Sequence, residues 1–187
     1  ADGGTRTASI TGGFIALVDA VNSTGGIVVP DLLRALGVNH VDVIYGEPTG
    51  HFAHNPEPLP ENLGAMISKM KEGNYDLGIV VDPDVDRLCF ISEDGTPFGE
   101  EYTLVAIADY ILSLGKGNTV SNLSSTRALR DVTEKHGGTY FAAAVGEVNV
   151  VNQMKAQKAV IGGEGNGGVI FPESHYGRDA LVGIGLF

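Results

Sequence analysis

Short apolar runs alternate with helix-like stretches along the whole chain, and this alternation constrains the fold more than any other feature. The run FIALVDA at 14–20 predicts a strand, and the helix-like stretch that follows it ends at Gly37. Strand-like runs return at 41–46 and 76–82. Strands that alternate with helices are typical of α/β proteins. We therefore expect a three-layer α/β arrangement, in which a mixed β-sheet is flanked by helices.

The pattern starts again after a tight turn at 93–95. The stretch at 99–115 is strongly helical and carries acidic residues in its first turn, where the helix dipole favours them. Two α/β domains of similar size are therefore predicted, one at 1–97 and one at 98–187. A helix-like stretch begins at 178 and runs to the last residue, so we expect the second domain to be truncated at its C-terminal end.

Composition excludes several classes of protein. With 23 acidic and 12 basic residues the net charge is −11, which argues against a nucleic-acid partner. The one cysteine, Cys89, rules out an internal disulfide and a cysteine-rich zinc site, and we expect a buried thiol. The sequence shows no signal-peptide pattern and no apolar run long enough for a bilayer, so we expect a cytoplasmic protein without a membrane partner.

The segment VVDPDVDRLC at 80–89 places three carboxylates within five residues, directly after an apolar run. Like charges this close need a cation, a proton or full solvation. Residues spaced by two project to one side of extended backbone, and Pro83 stiffens the loop. An oxygen-only cluster suits magnesium, and the adjacent Arg87 suits a phosphate. We favour a magnesium site for phosphoryl transfer, with these ligands: Asp82, Asp84 and Asp86.

Other interpretations apply to the same loop. An EF-hand-like calcium loop would use Glu93 at its twelfth position, but it requires glycine where Arg87 stands and a loop where LCFIS predicts a strand. A haloacid-dehalogenase-like phosphatase would use Asp82 as nucleophile and Asp84 as acid/base. It also requires a lysine and a pair of acids at a later strand end, and no later strand end offers such a pair. A solvated acidic turn is the third possibility.

A glycine-rich segment, IGGEGNGGVIFPESHYGRDAL at 161–181, is the second informative stretch. A Walker loop requires Gly-Lys-Ser/Thr, and this segment lacks it. A dinucleotide-binding loop would be followed by a helix, whereas GVIF predicts a strand. Glu164 and Asn166 alternate with glycines. A carboxylate accepts from two hydroxyls and an amide both donates and accepts, so this pattern suits a polyol. A tight hairpin with incidental polar residues explains the segment equally well.

Taken together and in this order, the two segments resemble the α-D-phosphohexomutase family of phosphomannomutases, phosphoglucomutases and phosphoglucosamine mutases. DPDVDR resembles the magnesium loop of the family, and GGEGNGG is similar to its sugar-recognition loop, Gly-Glu-x-Ser-Gly, with Asn166 in place of serine. The resemblance extends from about Val18 to Leu181 and covers the second and third of the family's four domains.

The resemblance implies a reaction and a set of residue roles. Members of the family move phosphate between carbons 1 and 6 of a hexose through an enzyme phosphoserine and a bisphosphate intermediate, with Mg²⁺. The three aspartates would be magnesium ligands, and the phosphoserine would supply the fourth. Arg87 would be the active-site arginine, and Glu164 and Asn166 would hold sugar hydroxyls. Further positions match ligand-facing residues of the family: Gly146, Glu147, His175 and Arg178.

The phosphoserine motif of the family, Thr-Ala-Ser-His-Asn-Pro, does not occur as one piece. Thr7-Ala8-Ser9 is followed by Ile10, and His54–Pro56 stands apart. By the resemblance, the first domain carries this serine and the fourth grips the second phosphate of the substrate. We therefore expect the 187 residues alone to be inactive and the complete enzyme to act on a hexose phosphate. A non-catalytic module that binds magnesium or a sugar phosphate is the alternative from a different class.

Overall fold

The computed structural model describes residues 13–187, which fold into two units. The first contains the described residues up to Val85 together with Cys89–Phe98, and the second contains Asp86–Leu88 and Gly99–Phe187. Each unit has a four-stranded mixed sheet that is flanked by helices. The predicted fold class is confirmed.

The sheet of the first unit has the strand order β2-β1-β3-β4. Along the chain the elements are β1 (Ile15–Asp19), α1 (Gly25–Ala35), β2 (His40–Ile44), a 3₁₀ turn (Pro60–Asn62), α2 (Gly64–Glu72), β3 (Leu77–Val81) and β4 (Leu88–Ser92). β1 pairs in parallel with both β2 and β3. β4 neighbours β3 after a short connection, which antiparallel strands allow and parallel strands do not. The carboxyl ends of β1, β2 and β3 therefore share one edge.

The core of the first unit forms where α2 packs on this sheet. Leu63, Met66 and Met70 have the spacing of one helix face, and all three are fully buried. They pack against strand residues that include Leu17 and Cys89, so the thiol is buried as predicted. Burial of each such large apolar side chain stabilises the fold by about 1.5–3 kcal/mol.

The sheet of the second unit has the strand order β6-β5-β7-β8. Its elements are α3 (Glu100–Leu114), β5 (Asn118–Asn122), α4 (Ala128–Lys135), β6 (Tyr140–Ala143), α5 (Glu147–Gln157), β7 (Ala159–Glu164), β8 (Gly168–Ile170) and α6 (Ala180–Leu186). β5 pairs in parallel with β6 and β7, and β7 pairs with β8 in antiparallel fashion. The carboxyl ends of β5, β6 and β7 meet at one edge.

Helices cover both faces of the second sheet. Successive strand residues point to opposite faces, and Val169 and Ile170 of β8 accordingly belong to different core clusters. Val169 packs in a cluster with Leu104 of α3, whereas Ile170 packs in a cluster with Met154 of α5. The second unit is thus a three-layer arrangement. Among the residues that the structure describes, no helix combines the length and hydropathy needed to cross a membrane.

Candidate functional site

The aspartate loop, residues 82–87, joins β3 to β4. One carboxylate oxygen from each of Asp82, Asp84 and Asp86 lies within 4.8 Å of the others. Asp82 is buried, Asp86 is half-buried and Asp84 is exposed. Three carboxylates this close form an oxygen-only donor set that fits a hard divalent cation such as Mg²⁺. The three predicted ligands are therefore neighbours, and their role as ligands stays a prediction.

The aspartate loop turns at Val85, whose backbone is in the left-handed region with φ of 60°. A β-branched residue rarely adopts this conformation, which costs about 1–3 kcal/mol and persists only where the surroundings fix it. The Val85 side chain is buried, and its N–H donates to the Asp82 carbonyl at 3.2 Å. The strained turn changes the direction of the chain between Asp84 and Asp86.

Two hydroxyl groups hold the aspartate loop at Pro83. Ser23 Oγ and Thr24 Oγ1 donate to the Pro83 carbonyl at 2.6 Å and 3.1 Å. Both residues directly precede α1. This helix starts close to the end of β3, because a Cβ added at Gly25 would lie only 2.5 Å from a methyl carbon of Val81. The segment DAVNSTGG at 19–26 thus supports the aspartate loop, a role that the sequence did not predict.

Glu164 ends β7 and is held by three donors at the carboxyl edge of the second sheet. Its side chain is buried. Oε1 accepts from Asn122 Nδ2 at 2.7 Å and from the Gly146 N–H at 3.3 Å, and Oε2 accepts from Arg178 Nη1 at 2.8 Å. A carboxylate offers about four acceptor positions, so a sugar hydroxyl could still donate to Glu164.

Asn166 lies in the hairpin between β7 and β8. Its Oδ1 accepts from the Gly168 N–H at 3.2 Å, which stabilises the turn, and the Gly165 N–H donates to Ser125 Oγ at 2.8 Å. Gly167 has φ of 89°, a left-handed conformation that favours glycine. The backbone is therefore the tight hairpin that the sequence allowed. A ligand role for Asn166 stays a prediction.

Arg178 contacts three carboxylates of the second unit. Its Nη2 pairs with Asp86 Oδ2, its Nη1 with Glu164 Oε2 at 2.8 Å and its Nε with Glu147 Oε2 at 3.6 Å. Its backbone N–H also donates to Glu147 Oε1 at 3.0 Å. Burial opposes the charge of Arg178, but Asp86, Glu164 and Glu147 outweigh that effect and raise the pKa of the guanidinium.

Two further predicted site residues are Arg87 and His175. Arg87 Nε is 3.8 Å from Asp86 Oδ1, and its backbone forms a bridge with Gly168. His175 is exposed and pairs with Asp179, whose carboxylate lies 2.8 Å from His175 Nε2. Asp179 also caps α6 by accepting from two backbone N–H groups. His175 therefore supports the start of α6 in this structure.

Sequence reasoning missed Asn122, the residue that joins β5 to Glu164. Its Oδ1 accepts from Ser124 Oγ at 3.1 Å and from Ser125 Oγ at 2.6 Å, which orients its Nδ2 toward Glu164. The available signal was the segment NLSS at the end of a strand, because functional side chains in α/β sheets gather at the carboxyl ends of strands.

A second interaction that the sequence did not indicate, between the buried Asp19 and the partly buried His54, lies in the first unit. Asp19 ends β1, and its Oδ2 is 3.1 Å from His54 Nε2. His54 Nδ1 lies 2.7 Å from the Asn55 carbonyl oxygen, so each nitrogen of the ring lies within hydrogen-bond distance of an oxygen. Burial raises the pKa of Asp19, against the opposing effect of His54.

Known proteins resemble this chain over nearly its whole length. The family model described as phosphoglucomutase/phosphomannomutase, alpha/beta/alpha domain II, matches residues 6–95, and the model for domain III of the same family matches residues 99–186. A phosphoglucomutase/phosphomannomutase from Thermococcus kodakarensis is 38% identical over 168 residues, which are 89% of this chain and 37% of that protein. A phosphoglucomutase from Neisseria gonorrhoeae is 33% identical over 87% of this chain and 36% of its own length.

A solved structure gives the same result. The phosphoglucomutase/phosphomannomutase family protein of Burkholderia thailandensis matches with a TM-score of 0.84 and 27% identity, over 98% of this chain and 42% of its own. The chain thus spans well under half the length of these relatives. As the two loops indicated, it belongs to the phosphoglucomutase/phosphomannomutase family, in which it corresponds to α/β/α domains II and III.

Proposed function

We propose that this chain forms the second and third domains of a phosphohexomutase that interconverts hexose 1-phosphates and hexose 6-phosphates in the cytoplasm. The observation that carries the proposal is the convergence of Asp82, Asp84 and Asp86 within 4.8 Å, in a chain whose relatives are phosphohexomutases. We place the boundary between the two domains at 97/98.

Mg²⁺ is the cofactor that the aspartate loop would hold. When bound, the ion neutralises charge on the phosphoryl group during transfer, which is the main catalytic need of this chemistry. Each of the three aspartates would supply one oxygen: Asp82, Asp84 and Asp86. The strained turn at Val85 and the hydroxyl groups of Ser23 and Thr24 stabilise the conformation of the loop.

Arg87 would hold the phosphate of the substrate. Its guanidinium offers a planar set of donors that matches phosphate oxygens, and it follows the aspartates directly in the chain. Nε lies 3.8 Å from Asp86, so the group is close to the proposed cation position. It would therefore keep a phosphate near the aspartate loop.

Glu164 would hold the sugar. Its carboxylate is fixed by Asn122, Gly146 and Arg178, and a fixed acceptor orients a hydroxyl at a lower entropic cost than a mobile one. Asn166, two residues further on, would add an amide to the same loop. Together they would orient the hexose in both halves of the reaction: first with its free hydroxyl facing the phosphoserine, and then, as the bisphosphate, with one phosphate facing the unphosphorylated serine.

The serine that carries the phosphate, and the group that grips the other phosphate of the substrate, would come from the first and fourth domains of the enzyme. The family models that match this chain are those of domains II and III. A polypeptide of residues 1–187 alone should therefore transfer no phosphate between sugar carbons.

The test is a ³¹P NMR assay of the complete enzyme with Mg²⁺ and either glucose 1-phosphate or mannose 1-phosphate. We expect the 6-phosphate as product. Release of inorganic phosphate as the main product would overturn the proposal in favour of the phosphatase alternative, and binding of sugar phosphate without any product would favour the non-catalytic module. In the same assay, the polypeptide of residues 1–187 should give no product, and robust turnover by it would contradict the assigned domain roles.

A further inference from the structure

We propose that Arg178 is a positioning residue that holds Asp86 and Glu164 in one arrangement, so that one guanidinium supports both the proposed metal ligand and the proposed sugar ligand. This inference rests on the proposed function and adds to it. Sequence matching indicated a ligand-facing residue at Arg178. That role stays a prediction, and in the structure the side chain of Arg178 pairs with three protein carboxylates.

The guanidinium group of Arg178 contacts both carboxylates at once. Nη2 pairs with Asp86, while Nη1 donates to Glu164 at 2.8 Å. The two nitrogens belong to one rigid, planar group, so the positions of the two carboxylates are fixed relative to each other. A lysine would place a single nitrogen there and could not impose the same geometry.

The backbone around Arg178 holds the arginine itself in place. The Arg178 N–H donates to Glu147 Oε1 at 3.0 Å, and the next residue, Asp179, donates its N–H to the Val169 carbonyl at 2.9 Å. The side chain passes over Gly168, where a Cβ would lie 2.4 Å from Arg178 Cδ. Only 13% of the Arg178 side chain is exposed. The guanidinium thus has little freedom to leave.

Arg178 also affects the charge and the orientation of Asp86 and Glu164. Arg178 brings one positive charge to three carboxylates, those of Asp86, Glu164 and Glu147, so the group keeps an excess of negative charge. Residues that hydrogen-bond to a metal ligand orient it, and their loss typically lowers metal affinity by about 10–100-fold. Removal of Arg178 should therefore affect Mg²⁺ binding through Asp86 and sugar binding through Glu164 together.

The experiment compares Arg178→Lys and Arg178→Met with the wild type in the complete enzyme. Mn²⁺, as a spectroscopic substitute for Mg²⁺, is titrated and the free ion is followed by EPR. We expect the dissociation constant for Mn²⁺ to rise about tenfold or more in both variants, and KM for the hexose 1-phosphate to rise as well. The matched control is Arg130→Met, because Arg130 lies on α4 and pairs there with Asp131 and Glu134. Its constants should equal those of the wild type.

A double variant separates positioning from a general structural effect. If Arg178 acts on sugar binding through Glu164, then Glu164→Gln should raise KM much less in the Arg178→Lys background than in the wild type. The inference fails if Arg178→Lys, folded as judged by circular dichroism, keeps the wild-type Mn²⁺ affinity and KM. If the wild type itself neither binds Mn²⁺ nor forms the 6-phosphate, the proposed function fails instead. Because Arg178→Lys keeps the buried charge, it carries the test even if Arg178→Met does not fold.

Discussion

Asn122 Nδ2 donates to Glu164 Oε1 at 2.7 Å, and this hydrogen bond joins the carboxyl ends of two neighbouring parallel strands. Both side chains are buried. The bond therefore fixes the carboxylate that we propose to bind sugar, and it ties the geometry of the site to the stability of the second sheet.

Asn122→Asp should destabilise the chain at neutral pH, because it replaces a donor with a second carboxylate at hydrogen-bond distance from Glu164. The loss of a partner by a buried acceptor alone costs about 1–3 kcal/mol, and the like charges add to it. As the pH falls, the two carboxylates can share a proton and the loss should shrink. Urea unfolding at pH 5 and pH 8 measures the difference. Asn152→Asp, at an exposed position of α5, is the control and should change little.

Asp19→Asn should remove a pH dependence of stability in the first unit. Because burial raises the pKa of Asp19 in the folded state, the folded chain binds a proton more tightly than the unfolded chain does. The contribution of Asp19 to stability should therefore fall as the pH rises from about 4 through its folded pKa. The free energy of unfolding of the wild type minus that of Asp19→Asn, measured from pH 4 to pH 7, should decline over this range. A difference that rises with pH would contradict the assignment.

Tyr75→Phe tests a hydrogen bond between neighbouring parts of the first unit. The Tyr75 hydroxyl donates to Asp42 Oδ2 at 2.6 Å, which raises the pKa of Tyr75 to about 12 and lowers the pKa of Asp42. Its stabilisation should be present between the unfolded pKa of Asp42, about 4, and that of Tyr75, about 10, and be lost outside this window. We expect a loss of about 0.5–1 kcal/mol at pH 7, because the pair is partly exposed.

The measurement for Tyr75 is a difference titration at 295 nm, where tyrosinate absorbs. The wild-type curve minus the Tyr75→Phe curve should show one phenol that ionises near pH 12. Ionisation of that phenol near pH 10 would mean that the bond to Asp42 does not form. For stability, Tyr102→Phe is the control, since Tyr102 is half exposed.

Gly167→Ala should strongly destabilise the hairpin between β7 and β8. Its φ of 89° disfavours any side chain, and a Cβ would lie 2.4 Å from the Leu88 carbonyl oxygen. Strain and steric overlap together should cost about 2 kcal/mol or more. Gly50→Ala is a matched control, because Gly50 has φ of 72° with nothing within 4 Å of its Cβ position. It should lose only the left-handed cost, about 1–2 kcal/mol. Equal losses in thermal unfolding would show that the close approach to Leu88 is unimportant.

Much of the fold follows from local sequence patterns. Apolar runs bounded by glycine or by charged turns locate the strands to within a residue or two, as for β3, predicted at 76–82 and observed at Leu77–Val81. The long helix expected at 99–115 spans Glu100–Leu114. The segment with four prolines at 47–61 contains only the turn at Pro60–Asn62, since proline fixes φ and removes a donor.

The site could be predicted only where its chemistry is local in sequence. Asp82, Asp84 and Asp86 stand together, so their cluster is visible in the sequence. The pairing of Asp86 with Arg178 joins residues 92 positions apart, and no pattern in YGRDAL indicates which carboxylates that arginine contacts. Asn122 was missed for the same reason, because its importance depends on which strands are neighbours in the sheet.

The assignment of the aspartate loop as a magnesium site is tested by the effect of Asp84→Asn on phosphate transfer by the complete enzyme. Asp84 is the exposed member of the cluster, so the substitution replaces a charged carboxylate with a neutral, weaker amide ligand and has little effect on folding. Loss of the charge neutralisation that the ion supplies costs several kcal/mol in the transition state, which corresponds to a rate loss of about 10²–10³-fold. Glu93→Gln, at an exposed position beyond β4, is the control and should keep the wild-type rate.

The measurement is the rate at which hexose 1-phosphate is converted into hexose 6-phosphate at saturating Mg²⁺, followed by ³¹P NMR. We predict that Asp84→Asn loses this conversion while Glu93→Gln retains it. Magnesium-dependent turnover at the wild-type rate in Asp84→Asn would contradict the assignment of the aspartate loop as the magnesium site.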